Sequence, residues 1–142
     1  MSASLKRLLL TLCLCMAISS PAQSETVLVS AIDGAITHIS REEAEQLYLG
    51  RLSSLRDGTP VRLLDLAPGA TRNAFYQGLI GKNPTQTRAY WSRIVFTGRA
   101  RPPREVAGPE ELRDAINQDP NLVGYVPIDG LSTDMRILLR VD

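Results

Sequence analysis

The sequence predicts a single α/β layer structure. Three observations carry that reading. Short β-branched runs alternate with segments of helical apolar spacing, Gly and Pro pairs punctuate the boundaries, and no repeat, low-complexity tract or long linker divides the chain.

The first 24 residues stand apart. Lys6 and Arg7 precede an almost uninterrupted apolar run over 8–18, and Ser19-Ser20-Pro21-Ala22-Gln23-Ser24 supplies small residues, the pattern of an export signal. Cleavage is expected after Ser24, with Ala22 as second choice, leaving 25–142 as one periplasmic or secreted domain. The apolar run is shorter than the roughly 20 residues a membrane-spanning helix needs, so no membrane insertion is expected after cleavage. Cys13 and Cys15 follow leucine inside that run, which is not a lipid-anchor pattern.

Loss of this segment removes both cysteines, and with them disulfides, zinc fingers and thiol catalysis. It also leaves 14 basic against 15 acidic side chains, a formal charge of −1. Bulk charge therefore does not mark a polyanion binder, and no nucleic-acid partner is expected. Lys82 is the only remaining lysine. Every other cation is an arginine, the side chain suited to bidentate contact with oxyanions and carboxylates.

The elements follow in order. Thr26-Val27-Leu28-Val29 reads as a first strand, ended by the Asp33-Gly34 turn. Ser40-Arg41-Glu42-Glu43 is a capping box, opening a helix with Ala44, Leu47 and Tyr48 inward and Gly50 closing it in the left-handed conformation. Asp57-Gly58 turns the chain into a second strand over 61–66, which Pro68-Gly69 breaks. A helix over 71–80 presents Phe75, Gly78 and Leu79 to the core. Asn83-Pro84 starts another, with Thr87, Trp91, Ile94 and Val95 at helical spacing. After an irregular stretch over 97–108, Pro109-Glu110-Glu111 opens a helix that buries Leu112, Ala115 and Ile116. Strands over 122–126 and 136–141 complete the set, with right-handed crossovers expected between parallel strands.

The turn after the second strand attracts function. Ligands of open α/β sheets gather beyond the carboxyl ends of strands, and Gly69, Ala70, Thr71, Arg72 and Asn73 lead from such an end into a helix. The unpaired first-turn N–H groups would bind an anion, Thr71 would add a hydroxyl and Arg72 a charge. Arginine is otherwise disfavoured at a helix N-terminus by about 0.3–1 kcal/mol. The alternative is that Arg72 points into water or toward Asp65. A second cationic group, Arg99, Arg101 and Arg104, flanks Pro102-Pro103, which would hold it extended as an edge for a partner or anion, or simply as a solvated loop.

These residues carry a resemblance. The capping helix, Tyr48-Leu49-Gly50-Arg51, the Asp57-Gly58 turn, Gly69-Ala70-Thr71-Arg72-Asn73-Ala74-Phe75 and Val123-Gly124-Tyr125-Val126 together resemble one lobe of the phosphate-type periplasmic substrate-binding proteins, over residues 26–128. The segment 90–103 is similar to short, single-lobe members of that family. The resemblance implies one lobe of a type II periplasmic-binding-protein-like fold, a central mixed sheet flanked by helices, and association with phosphate ABC transport. The family's phosphate-contacting Ser-Gly-Thr maps to Gly69-Ala70-Thr71. Loss of the serine hydroxyl removes a charge-assisted hydrogen bond, about 1.5–3 kcal/mol or tenfold in affinity or more. A single lobe also lacks the opposing wall, so phosphate binding is expected to be weak.

No catalytic, metal or cofactor site is expected. His38, the lone histidine, has no second ligand near it, there is no Gly-x-Ser-x-Gly elbow, and Gly81-Lys82 lacks the rest of a phosphate loop. Two readings remain: a substrate-binding-like lobe with weak oxyanion affinity, and a non-enzymatic envelope module that docks a protein partner or a second copy of itself.

Overall fold

The computed structural model describes residues 25–141, so the expected export signal over 1–24 lies outside the described residues. In chain order the elements are β1 (Thr26–Ala31), α1 (Arg41–Tyr48), β2 (Arg62–Leu66), α2 (Ala70–Ile80), α3 (Pro84–Phe96), β3 (Arg104–Val106), α4 (Pro109–Gln118), β4 (Leu122–Pro127), a 3-10 turn (Ile128–Gly130) and β5 (Met135–Val141). The five strands form one sheet in the order β3-β2-β4-β1-β5. β2 runs parallel to β3 and β4, whereas β1 is antiparallel to β4 and β5, so the sheet is mixed.

Helices cover β4 and β1, two of the three inner strands, and this explains their sequence. Val27, Leu28 and Val29 are all fully buried, as are Val123, Tyr125 and Val126. A strand buried on both faces reads as a continuous apolar run rather than an alternation. In β4, Gly124 admits α4: a Cβ there would stand 2.6 Å from Leu112 Cδ1.

The caps form as their residues require. Ser40 Oγ accepts from the Glu43 amide at 3.1 Å, and the Ser40 amide donates to Glu43 Oε2 at 2.9 Å. Gly50 takes φ 70° just past α1. There its missing side chain makes room for Trp91, whose Cη2 would be 2.8 Å from a Cβ. Asn83 and Gln86 build the same reciprocal cap on α3, behind the left-handed Gly81 that ends α2. Between the layers, Phe75 of α2 stacks on Tyr125 of β4 with centroids 3.7 Å apart, and Tyr48 of α1 meets Phe75 edge-on at 4.8 Å.

Two expectations need correction. The stretch over 97–108 contains β3, a three-residue edge strand held parallel to β2 through Leu64 to Leu66. The inner face of α3 is Thr87, Tyr90 and Trp91, whereas Ile94 is half-buried and Val95 is exposed. The buried stripe is rotated toward the end of α1, where Trp91 packs against the bare Gly50 and the Tyr90 hydroxyl donates to the Leu49 carbonyl at 2.6 Å.

Candidate functional site

β2 ends in Asp65 and Leu66, both buried, and the chain leaves the sheet through Ala67-Pro68-Gly69. Gly69 is the N-cap of α2 in extended conformation and offers no side chain, so no side-chain cap closes the first turn. The amides of Ala70, Thr71 and Arg72 occupy the positions that α-helical pairing leaves without partners.

Arg72 is turned back toward the sheet. Its guanidinium lies 3.5 Å from Asp65 Oδ2, donates to Glu105 Oε2 at 3.1 Å and to the Leu66 carbonyl at 3.2 Å, and sits over the Tyr76 ring at 5.8 Å. Of the alternatives open from sequence, the inward one toward Asp65 is realised.

Asp65 anchors this network. One carboxylate oxygen accepts from the Tyr76 hydroxyl at 2.6 Å, and the other accepts from the Tyr125 hydroxyl and from the Leu66 amide at 2.9 Å. Burial first, and then the Asp65 charge, raise both phenol pKa values far above the ordinary tyrosine range. Burial works against the charge on Arg72, but Asp65 and the surrounding hydrogen-bonded groups outweigh it and hold the guanidinium ionised.

Beside this network an open cleft of about 860 Å³ runs between α2, α3 and the approach to β3. Its lining is mixed, with Asp65, Glu105, Arg72 and Arg88 beside Trp91 and Phe96. Phe96 is 92% exposed and Val95, next to it on the same cleft, 51%. Deeper in, Thr87 Oγ1 and Trp91 Nε1 are buried without hydrogen-bond partners.

The five predicted oxyanion residues are consecutive but do not converge on one cavity. Arg72 and Asn73 line the cleft, and Ala70 and Asn73 line a separate depression beside Thr26 and Val141. Gly69 and Thr71 line neither. An anion placed at Arg72 would face two carboxylates. At about 4 Å a like-charge contact costs roughly 1 kcal/mol in water and about 4 near a protein surface, which cancels much of what one guanidinium contributes.

Arg99, Arg101 and Arg104 are exposed, with Arg104 opening β3 rather than lying in a loop. His38 is exposed too, and Glu43 serves α1's cap while accepting the Arg56 amide at 3.2 Å. Among the described residues no group of His, Cys, Asp and Glu is arranged to hold a metal, and no helix is long and apolar enough to cross a membrane. Sequence reasoning missed Glu105, Tyr76 and Phe96 as residues of this region. The available signal was Asp65 seven positions before Arg72, a strand-end acid facing a helix-start base.

No protein-family model matches the chain, and no curated protein sequence matches it. Solved structures do. An ABC-type phosphate transport receptor from Vibrio cholerae superposes with TM-score 0.60 at 12% identity, over 81% of this chain and 45% of the receptor. A putative phosphate ABC transporter substrate-binding protein with bound phosphate, from Clostridium perfringens, gives 0.61 at 11%, over 81% and 44%. PstS from Borrelia burgdorferi gives 0.57 at 12%, over 81% and 46%. The chain thus spans under half the length of these proteins, and what it shares with them is the fold of that part: a mixed five-strand sheet flanked by helices.

Proposed function

We propose that this chain is an exported, non-enzymatic interaction lobe of the cell envelope, built on the fold of substrate-binding proteins, whose cleft face is covered by a second copy of the chain. One observation carries this reading. The cleft's inner cation is spent on Asp65 and Glu105, while Phe96 stands 92% exposed at the rim. Covering a phenylalanine stabilises by about 1.5–3 kcal/mol per copy, and a twofold contact would count each residue twice.

The second reading is weak binding of a small oxyanion such as phosphate at Gly69, Ala70, Thr71, Arg72 and Asn73, in keeping with the phosphate-transport association of the fold. It is favoured by the uncapped first turn of α2 and by the phosphate bound to the Clostridium protein. Light scattering of the full chain, expressed with its leader and recovered after export, separates the two. A concentration-dependent dimer that Phe96→Asp dissolves, with no calorimetric heat from millimolar phosphate, sulfate or acetate, is expected. A monomer at every concentration that takes up phosphate with a rise in melting temperature supports the oxyanion reading and defeats the first.

A further inference from the structure

A second concavity, of about 800 Å³, shares Trp91, Pro102 and Pro103 with the cleft but is otherwise differently lined. Around it stand Arg51, just past α1; Arg62, opening β2; and Arg99, Arg101 and Arg104, on the path from α3 into β3. Asp119 is the one carboxylate-bearing residue in the lining, and Arg62 already holds it through two bonds, Nε to Oδ2 at 2.8 Å and a terminal nitrogen to Oδ1 at 2.7 Å.

The other four arginines are exposed, and none makes an ion pair among the described residues. This is a local property. Arg41, Arg56, Arg72, Arg113 and Arg140 all have carboxylate partners elsewhere on the surface. The remaining cations without one, Lys82, Arg88, Arg93 and Arg136, do not line this groove. Four like charges therefore gather without an ion-pair partner among the described residues, with Glu111 and Asp114 standing in the adjoining depression that Arg104 also borders. Pro102-Pro103 stiffens the segment that carries them, so the arginines are splayed with less freedom to lose on binding. Beneath them the surface is apolar: Val61 and Leu122 are buried, Leu63 is half-buried and Leu52 is 42% exposed.

We propose that this groove docks an extended acidic segment of a partner protein, with carboxylates paired to Arg51, Arg99, Arg101 and Arg104 and intervening apolar side chains on the floor. Complementary charge steers and selects such a partner, and guanidinium forks bind carboxylates bidentately. A single inorganic anion would engage few of four arginines drawn from separate segments. A lipid surface is flat where this site is concave. Single-stranded nucleic acid needs exposed aromatic faces to stack on, whereas Trp91, the aromatic residue in the lining, is 8% exposed.

The test uses the exported full chain and a labelled synthetic peptide of alternating Glu and Leu, with a Lys-Leu peptide as its opposite. Trp91 is the only tryptophan and borders both the groove and the cleft, so its emission reports binding at this end of the molecule beside peptide anisotropy, and the variants below tell the two sites apart. The Glu-Leu peptide should bind and the Lys-Leu peptide should not. Binding should weaken as salt shortens the screening length from about 10 Å at 0.1 M to about 3 Å at 1 M, and the double reversal Arg99→Glu with Arg101→Glu should weaken it tenfold or more. If that variant does not fold, Arg51→Glu alone must weaken binding. Phe96→Asp should bind the peptide as the parent does, which keeps this outcome distinct from the state of the cleft. No binding of the Glu-Leu peptide, or binding indifferent to the reversals, overturns the proposal. So does displacement of the peptide by inorganic phosphate at matched charge, or reversal-sensitive binding to phosphatidylglycerol vesicles in place of the peptide.

Discussion

At Asp65 the chain buries a carboxylate, 4% exposed, beneath two phenol hydroxyls, one backbone amide and one guanidinium. The two phenols and the amide depend on this one acceptor, whereas Arg72, a quarter exposed, also reaches Glu105 and the Leu66 carbonyl. Leaving a buried donor without its acceptor costs about 1–3 kcal/mol, and losing one neutral donor about 1–2 kcal/mol. Urea denaturation of Asp65→Ala, which strands two phenols and an amide, should therefore show a loss of about 3–5 kcal/mol, and Tyr76→Phe a loss of about 1–2 kcal/mol. Adding Arg72→Met to Asp65→Ala should cost less than the sum of both single losses, since each single variant already removes the contact between them. If the double variant is as unstable as the sum of both singles, the pair is not coupled. The pairing of Arg72 with Asp65 stood among the sequence alternatives, because a strand-end acid and a helix-start base are close along the chain. Glu105 did not, because it arrives from an edge strand 33 residues away.

Among the elements, β3 and α3 show where pattern reading stops. The caps at Ser40 and Asn83 and the inner faces of α1 and α4 follow from short-range chemistry, and the structure has them where the sequence puts them. β3 has three residues, two of them charged, and exists because β2 offers a free parallel edge. No alternation within Arg104-Glu105-Val106 could announce it. On α3 the apolar residues form two overlapping stripes, and which one faces inward depends on Gly50, a residue of another segment. That dependence is testable. Gly50→Ala places a Cβ at φ 70°, with 2.8 Å to Trp91 and 3.0 Å to Ala100, whereas Gly81→Ala has φ 66° and open space around it. Both variants carry the left-handed strain, on the order of 1–3 kcal/mol, and only the first adds overpacking, about 1–3 kcal/mol more. Thermal melts should rank Gly50→Ala well below Gly81→Ala, with a shifted Trp91 emission in the former alone. Equal melting temperatures would mean that α3 packs without help from this contact.

For the molecule as a whole, the titrating groups that bind its layers together set a pH window. Hydrogen bonds lower the pKa of four carboxyls: Thr59 acts locally on Asp57, the Ser40 and Arg56 amides act on Glu43, Arg62 on Asp119, and Ser132, then Asn117 and Arg113, on Asp134. Their stabilisation is present above the unfolded carboxyl range and is lost as pH falls below about 4. Two of these contacts join distant segments, Arg62 of β2 to the end of α4 and Arg113 of α4 to the start of β5. At the alkaline end the sign reverses. Burial, and then the charge of Asp65, raise the pKa of Tyr48, Tyr76 and Tyr125, so their folded forms keep the proton after the unfolded chain begins to release it near pH 10. The unfolded state then binds fewer protons, and stability falls with rising pH by up to about 1.4 kcal/mol per unit for each tyrosine. Because Tyr48, Tyr76 and Tyr125 meet around Phe75, from α1, α2 and β4, ionising one requires opening the layer that holds all three. In an alkaline titration their tyrosinate absorbance should appear in one cooperative step, coincident with loss of the near-ultraviolet dichroism of the aromatic cluster. A gradual rise while that dichroism persists would show water reaching the cluster in the folded chain, and the Asp65 network would then be open to ligand as well.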